Sequence, residues 1–267
     1  MSLFYLLVVA IVQGITEFLP VSSSGHLILL PFFMGTQDQG QAIDVAVHIG
    51  TLGAVMIYFW RDVGVGLAGV PRMLTGKIDT PGSKLAFLLL IATIPVVILG
   101  LVLKVTGLSD AMRSPAVIGW TMLIFGLVLY WFDQKGAEVK TEGDWSMKDA
   151  VKLGLWQAIA LIPGTSRSGI TITGARAMGY TRQDGAKIAM LMSIPTIMAS
   201  GILLGAEVVG DADWAMLKDA AIGAVFAFIA ALLALTLMMR LLKSVSFTPY
   251  VIYRVILGVV LLVMSYT

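Results

Sequence analysis

The sequence contains no cysteine and few charged residues. Of its 267 residues, 13% are Asp, Glu, Lys or Arg and 58% are hydrophobic. Without cysteine there are no disulfides, thiolate metal sites or cysteine nucleophiles, and the redox compartment is left open. An ordinary soluble domain has roughly 25% charged residues, so a water-soluble globule is excluded. Most of the apolar surface must instead face lipid or pack between helices in a membrane.

The apolar runs are continuous rather than alternating, which is typical of an all-α polytopic membrane protein and not of a β-barrel. The run from Leu3 to Val12 is too short to cross and has no basic flank, so it is predicted to be neither a span nor a signal peptide. The net charge of +2 gives no support for nucleic-acid binding. Six runs are predicted to be transmembrane helices: 42–60, 86–103, 115–132, 187–206, 219–239 and 250–266.

Two further apolar segments, 3–33 and 148–176, are each broken by a polar turn. The turn from Pro20 to Gly25 interrupts the first, and the turn from Pro163 to Gly169 interrupts the second. Irregular backbone is tolerated at membrane depth only where protein or a water-filled cavity satisfies its polar groups. Both segments are therefore predicted to be re-entrant helical hairpins.

The basic residues predict an orientation. If each hairpin returns to its own side, thirteen of the 18 Lys and Arg residues lie on one face, which marks that face as cytoplasmic. The opposite face receives Lys104, Arg113 and Lys218, and both termini lie outside. Arg254 lies four residues into the last span, near its cytoplasmic end, so its side chain is expected to extend to the membrane surface.

The two broken segments share one pattern. At an offset of 144 residues both read Q-x-I-x6-S-x-S-G, with Gln13 paired with Gln157 and Ser22 with Ser166. Three spans follow each segment, so the second enters the membrane from the opposite side. The sequence predicts a single membrane domain, 1–267, with an inverted-topology repeat. Residues 1–132 are the first half, 145–267 the second, and 133–144 a connecting cytoplasmic loop. The two turns are expected to meet near the midplane and line one site.

Few ionisable side chains lie within the membrane segments. Each is costly to bury there, so each is a candidate for function. The first hairpin contains Glu17 and His26, and the second contains Arg167. His48 lies in the first full span and is expected to pack or hydrogen-bond between helices rather than take part in chemistry.

The polar turns are rich in hydroxyls and free backbone N–H groups, which bind anions where they open helices. Arg167 adds a forked cation that suits phosphate oxygens, so an anionic, phosphorylated ligand is predicted. The alternative is that the serines cap half-helices or allow close helix packing. The predicted substrate-binding residues are Ser22, Ser24, Gly25, Thr165, Ser166, Ser168, Gly169 and Thr171.

Glu17 and His26 are the predicted groups for catalysis. A carboxylate beside a phosphate site serves as a base or binds a divalent cation, and Mg²⁺ or Ca²⁺ would prefer the oxygens of Glu17, Gln13 and phosphate. His26 could protonate the leaving phosphate or attack phosphorus itself, and a serine hydroxyl is the other candidate nucleophile. A structural salt bridge between Glu17 and Arg167 is compatible with either role.

The segments QGITEFLPVSSSGH, from Gln13 to His26, and PGTSRSGIT, from Pro163 to Thr171, resemble the undecaprenyl-diphosphate phosphatase family, the bacitracin-resistance proteins of bacterial inner membranes. The resemblance extends to chain length, to H-I-G-T at 48–51 and to the hydropathy of the whole chain. It implies a multi-pass inner-membrane enzyme that hydrolyses undecaprenyl diphosphate to the monophosphate and inorganic phosphate. This reaction recycles the lipid carrier for cell-wall synthesis.

The resemblance also implies a site. Glu17, His26 and Arg167 would form its core, Ser23 would be a nucleophile or phosphate ligand, and Mg²⁺ or Ca²⁺ would be required. Family members often carry Glu where this chain has Gln13, and an amide cannot act as a base, which argues against a two-glutamate mechanism. A polyprenyl-phosphate transporter or flippase is the alternative, because broken helices in inverted repeats are typical of alternating access. A homodimer is left open.

Overall fold

The computed structural model describes residues 1–108, 112–208 and 214–267, with side chains for all of these except 205–208 and 215. Within these ranges the chain forms eleven α-helices, two short 3₁₀ segments and no β-strand. The helices are α1 (Leu3–Phe18), α2 (Ser23–Met34), α3 (Gln41–Tyr58), α4 (Trp60–Leu74), α5 (Pro81–Thr106), α6 (Pro115–Lys135), α7 (Met147–Ala158), α8 (Arg167–Ala177), α9 (Arg182–Val208), α10 (Trp214–Leu241) and α11 (Thr248–Tyr266).

Six of these helices, α3, α5, α6, α9, α10 and α11, are long and apolar enough to cross a membrane. They correspond to the six spans predicted from hydropathy, and that prediction is confirmed. Helix α5 begins five residues before its predicted start because Thr80 caps it. The Thr80 Oγ1 accepts from the Ser83 backbone N–H at 3.2 Å, and the Ser83 Oγ accepts from the Thr80 backbone N–H at 3.1 Å.

Each broken segment forms two short helices joined by a polar turn. Ser22 caps α2 and Ser166 caps α8, and both have a left-handed backbone, with φ of 73° and 72°. Each Oγ accepts from the backbone N–H three residues later, at 3.3 Å for Gly25 and 3.1 Å for Gly169. A left-handed serine costs on the order of 1–2 kcal/mol, and the cap hydrogen bonds help to offset that cost. The two turns therefore share one backbone geometry.

The short helices pack closely against long ones from the other half of the chain. Helix α1 lies against α10, and α7 lies against α5. Glycine allows each close approach: a Cβ at Gly14 would lie 2.6 Å from the Ala227 carbonyl oxygen, and one at Gly154 would lie 2.7 Å from the Ala92 carbonyl oxygen. The contacts hold the ends of α1 and α7 in fixed positions beside the polar turns.

Phe18, the last residue of α1, is fully buried in the central apolar cluster. This cluster includes Leu129 of α6, Met190 of α9, Leu235 of α10 and Phe247 at the start of α11. Phe18 directly follows Glu17, so the packing of Phe18 fixes the end of α1 and with it the position of the Glu17 carboxylate.

Helix α4 was not among the predicted elements. Its sequence carries Gly64, Gly66, Gly69 and Pro71, which lower helix propensity, and its charged residues interrupt the apolar pattern. It forms because it packs against α5. At the crossing a Cβ on Gly69 would collide with the backbone of Gly82, so tertiary packing overrides the weak local signal.

Arg254 does not extend to the membrane surface, and that prediction is wrong. The residue is fully buried, and its guanidinium donates to main-chain carbonyls of α6 and of both polar turns. The turns leave the carbonyls of Pro20, Gly164 and Thr165 outside any helix, and these carbonyls draw the cation inward. Its acceptors are Pro20 (3.3 Å), Thr121 (3.3 Å), Met122 (3.3 Å), Gly164 (3.2 Å) and Thr165 (2.9 Å).

Candidate active site

The Glu17 carboxylate, near the end of α1, is the centre of a buried polar cluster. Its Oε1 accepts from Arg167 Nη2 at 2.5 Å. Its Oε2 accepts from Gln13 Nε2 at 2.8 Å and from Ser23 Oγ at 2.5 Å. Gln13 is fully buried and Glu17 is 7% exposed. Four of the residues predicted from sequence are therefore in direct contact, and they come from both broken segments.

The two polar turns also touch each other outside this ion pair. The Ser168 Oγ donates to the Leu19 carbonyl oxygen at 2.9 Å. A Cβ on Gly25 would lie 3.6 Å from the Cα of Gly164, which is an ordinary packing distance. Arg254 donates to carbonyls of both turns. The turns therefore form one structure with the Glu17–Arg167 pair within it.

Three buried atoms of this region have no hydrogen-bond partner within the described part of the chain: Gln13 Oε1, Thr165 Oγ1 and Arg167 Nη1. Buried polar atoms are nearly always paired, and an unpaired one costs about 1–3 kcal/mol. In the Arg167 guanidinium, Nη2 donates to Glu17 and Nη1 is free to bind an anionic oxygen. The cluster therefore offers a cationic donor and a hydroxyl to an anion, and an amide oxygen to a cation.

Some of the predicted substrate ligands are occupied by the backbone instead. The hydroxyls of Ser22 and Ser166 cap α2 and α8, and in doing so they take the N–H groups of Gly25 and Gly169. The sequence left open that these serines cap half-helices. Both of them do so in the structure. The sequence alone did not indicate that both serines have φ values near 70°.

Two more predicted ligands differ in their availability. The Thr171 Oγ1 donates within its own helix, to the carbonyls of Arg167 at 2.6 Å and Ser168 at 3.1 Å. Ser24 is exposed, and its Oγ lies 3.4 Å from the Ser22 Oγ. Ser24 can therefore reach a ligand at the outer side of the first turn, whereas Thr171 already has partners.

His26 has partners other than Glu17 and Arg167. Its Nδ1 lies 2.7 Å from the Ser22 carbonyl oxygen, and its Nε2 lies 2.6 Å from the Tyr253 Oη. Because a carbonyl only accepts, Nδ1 carries the proton and Nε2 accepts from the Tyr253 hydroxyl. The two rings also stack, with 5.7 Å between centroids. No sequence signal distinguished Tyr253 from other aromatic residues of an apolar span.

His48, on α3, faces the same carboxylate. Its Nδ1 lies 2.7 Å from the Asp44 carbonyl oxygen, which is the hydrogen-bonding role expected from the sequence. Its other ring nitrogen, Nε2, lies 3.7 Å from Glu17 Oε2. Sequence reasoning did not place His48 at the site, because a helix-to-helix contact between α1 and α3 is not readable from spacing.

Nearly the whole chain matches one protein family. Residues 6–260 match the family described as bacitracin resistance protein BacA. The chain belongs to this family. The resemblance stated from the two motifs is therefore confirmed. With six candidate spans, this BacA protein is a multi-pass protein of the bacterial inner membrane.

Several relatives of this BacA protein carry the name undecaprenyl-diphosphatase. The chain is 71% identical to the one from Jannaschia sp., 70% identical to the one from Ruegeria pomeroyi and 68% identical to the one from Dinoroseobacter shibae. Each of these matches covers 100% of both chains. The similarity thus extends over both broken segments and all six candidate spans.

The residues around Glu17 are compatible with the divalent cation that the family implies. Mg²⁺ is commonly held by one or two carboxylates together with substrate phosphates. Glu17 supplies a carboxylate, and Gln13 supplies a buried amide oxygen without a partner. Among the described residues no group of three or more His, Cys, Asp or Glu could hold a metal. A cation bound here would therefore also need ligands from the substrate or from water.

Proposed function

We propose that this protein hydrolyses undecaprenyl diphosphate to undecaprenyl phosphate and inorganic phosphate, and so returns the lipid carrier to cell-wall synthesis. One observation carries the proposal: Arg167 pairs with Glu17 between the two polar turns and keeps a buried Nη1 without a partner. Full-length relatives named undecaprenyl-diphosphatase, at 68–71% identity, support it. The polyprenyl tail lies among the apolar helices, and its diphosphate enters the polar cluster.

Arg167 holds the diphosphate through Nη1 while Nη2 stays on Glu17. The Thr165 Oγ1, buried and without a partner, donates a second hydrogen bond to the phosphate. The guanidinium of Arg254 is already bonded to main-chain carbonyls, so it fixes the turns rather than the substrate. Preorganised donors of this kind stabilise charge in a phosphoryl-transfer transition state without reorganising.

Ser23 is the proposed nucleophile, because its Oγ donates to Glu17 Oε2 at 2.5 Å. A hydroxyl beside a base is the usual arrangement of an activated nucleophile. The Oγ bonds to the terminal phosphorus, and its proton passes to Glu17. The bond from that phosphorus to the bridging oxygen breaks, and undecaprenyl phosphate leaves with that oxygen. Water then attacks the phosphoserine, inorganic phosphate leaves, and Glu17 returns the proton to Ser23.

The leaving group needs no general acid. Phosphate monoesters have a second pKa of about 6, so undecaprenyl phosphate departs as a stable anion. His26 accordingly acts as a positioning residue: it binds the Ser22 carbonyl next to Ser23 and is held by Tyr253. These contacts fix the turn that presents the nucleophile.

Glu17 and Gln13 are the proposed protein ligands of a divalent cation, Mg²⁺ or Ca²⁺. When bound, that ion would neutralise charge on the diphosphate. Gln13 is suited to this role because its Oε1 is buried without a partner. The amide cannot act as a base, which leaves Glu17 as the proton acceptor of the cluster.

We also propose that the halves 1–132 and 145–267 form an inverted repeat, each beginning with a re-entrant hairpin. The matching left-handed serines and their caps support this proposal. So does the reciprocal packing of α1 on α10 and of α7 on α5. Gln13 and Gln157, which are paired in the repeat, are both fully buried with an Oε1 that lacks a partner.

The function is tested by phosphate release from undecaprenyl diphosphate, using purified protein in detergent. We expect turnover that chelation suppresses and Mg²⁺ restores. Detergent micelles carry no gradient, so a protein that only transports the lipid would release no phosphate. Gln13→Ala should weaken activation by Mg²⁺, whereas the matched control Gln157→Ala should not. Absence of release from wild-type protein at every cation concentration would favour the transporter.

A further inference from the structure

The Nε2 atom of His48 faces Glu17 but has no role in the proposed phosphoryl transfer. We propose that His48 is a third protein ligand of the divalent cation, beside Glu17 and Gln13, so that the site contains one nitrogen donor. This inference rests on the proposed cation-dependent phosphatase. Its consequence is that the site prefers Mn²⁺ or a similar transition ion over Ca²⁺.

The hydrogen bonds of His48 determine which nitrogen is free. The Asp44 carbonyl, 2.7 Å from Nδ1, only accepts, so Nδ1 carries a proton and neutral His48 has its lone pair on Nε2. That lone pair faces Glu17 Oε2 at 3.7 Å. The separation is too long for a hydrogen bond. A ring nitrogen and a carboxylate oxygen that face one another in this way call for a positive charge between them, which either a proton on Nε2 or a divalent cation supplies.

The distance between these two atoms fits a shared ion. Ligands at ~2.1 Å from one metal, about 90–110° apart, are separated by roughly 3.0–3.4 Å. A shift of a few tenths of an ångström in the His48 or Glu17 side chain reaches that range. His48 is 32% exposed, so its ring has room to make this movement.

Gln13 supplies the third donor by a half-turn of its amide. In the structure its Nε2 donates to Glu17 Oε2, and its Oε1 is buried without a partner. A cation at Oε2 would repel the N–H group and attract the oxygen in its place. The same rotation would bring Oε1 to the cation and place Nε2 where Oε1 now lies. Ser23 keeps its own hydrogen bond to Glu17.

The arrangement around His48 is the one that metal-binding histidines usually have. Such histidines donate their second N–H to a carbonyl or carboxylate, which fixes the ring and raises its basicity. Imidazole suits Mn²⁺ less strongly than later transition ions but far better than Ca²⁺, which takes six to eight oxygen ligands. A site of this composition therefore discriminates against Ca²⁺.

The chain has two histidines, His26 and His48, which makes the test specific. Purified protein loaded with Mn²⁺ is studied by electron spin echo envelope modulation, and the protein is also prepared with [¹⁵N]histidine. We expect imidazole ¹⁴N modulation that is replaced by a ¹⁵N pattern on labelling. The signal should persist in His26→Ala and vanish in His48→Ala. Mn²⁺ binding, measured by loss of the free-ion signal, should weaken at least tenfold in His48→Ala.

A second variant covers the case in which His48→Ala does not fold. His48→Gln keeps a donor atom on α3, so it should bind Mn²⁺ within a few-fold of wild type while the imidazole signal is lost. Its preference for Mn²⁺ over Ca²⁺ should fall. Wild-type modulation that is absent, or that disappears in His26→Ala, would overturn the assignment. A normal signal in a protein that releases no phosphate would reject the phosphatase proposal and leave the ligand assignment intact.

Discussion

Arg167 Nη2 lies 2.5 Å from Glu17 Oε1, although 150 residues separate the two along the chain. Without this contact, each side chain would be a buried charge that lacks its ion-pair partner. Removing one partner of a buried pair typically costs about 3–5 kcal/mol. The contact therefore joins the two broken segments and also fixes the direction of the free Arg167 Nη1. The same interaction serves the fold and the site.

The geometry of Arg167, and not only its charge, is expected to matter. Arg167→Lys keeps the positive charge but loses the fork that allows one nitrogen to bind Glu17 and another to bind phosphate. We expect kcat/KM for undecaprenyl diphosphate to fall by about 10–100-fold, which corresponds to roughly 1.4–2.7 kcal/mol. Arg240→Lys, at an exposed position on α10, is the matched control and should leave kcat/KM unchanged. Equal activity of Arg167→Lys and wild type would show that the fork is not used.

The Ser23 Oγ is expected to carry the phosphoryl group during turnover. Protein quenched in acid after mixing with substrate labelled in its terminal phosphate should retain label, because phosphoserine is stable to acid. Ser23→Ala should retain none and should lose most of its activity. Label that is acid-labile and absent from His26→Ala would assign the nucleophile to His26. A Ser23→Ala protein of normal activity would instead indicate direct attack by water.

Arg254 is expected to stabilise the fold through its hydrogen bonds to the turns. Arg254→Met removes the donor for carbonyls of Pro20, Gly164 and Thr165, which are left unpaired in the protein interior. We expect a loss on the order of 3 kcal/mol or more. Thermal unfolding in detergent should show a clearly lower midpoint than for the control Arg240→Met. An unchanged midpoint would mean that other groups satisfy these carbonyls.

The proposed re-entrant hairpins predict which exposed positions share a side of the membrane. The chain has no cysteine, so single-cysteine variants can be labelled without background. On intact cells, a membrane-impermeant maleimide should label cysteines at Leu3 and Thr36 but not at Gly143 and Ala177. Permeabilised cells should label all four. If either hairpin were a full crossing, the two positions that flank it would label from opposite sides.

Much of this fold was predictable, because hydropathy is a signal along the chain itself. The six spans and the two breaks follow from continuous apolar runs and the polar residues that interrupt them. Glu17 and Arg167 were identified for a related reason: an ionisable group within a membrane segment is rare and costly. Their contact followed from the expectation that the two turns meet.

The remaining features depend on contacts between distant segments. Arg254 was expected at the membrane surface because it lies near the end of its span. The prediction was wrong because its carbonyl acceptors include residues of turns 90 and 234 positions away in the sequence. The approach of His48 to Glu17 depends on how α3 packs against α1. Helix α4 forms against α5 despite its glycines. In each case the interaction was chemically ordinary, but the partner could not be read from the local sequence.

The central claim is that Glu17, held between the two turns, is required for hydrolysis of undecaprenyl diphosphate. Its most direct test is phosphate release by purified Glu17→Gln protein in detergent, compared with wild type and with Glu142→Gln, which changes an exposed carboxylate. The amide keeps the size of the side chain but removes the charge and the proton acceptor. We expect Glu142→Gln to match wild type, and we expect kcat/KM of Glu17→Gln to fall at least ~100-fold, or about 2.7 kcal/mol. Release at the wild-type rate by folded Glu17→Gln protein would contradict the account.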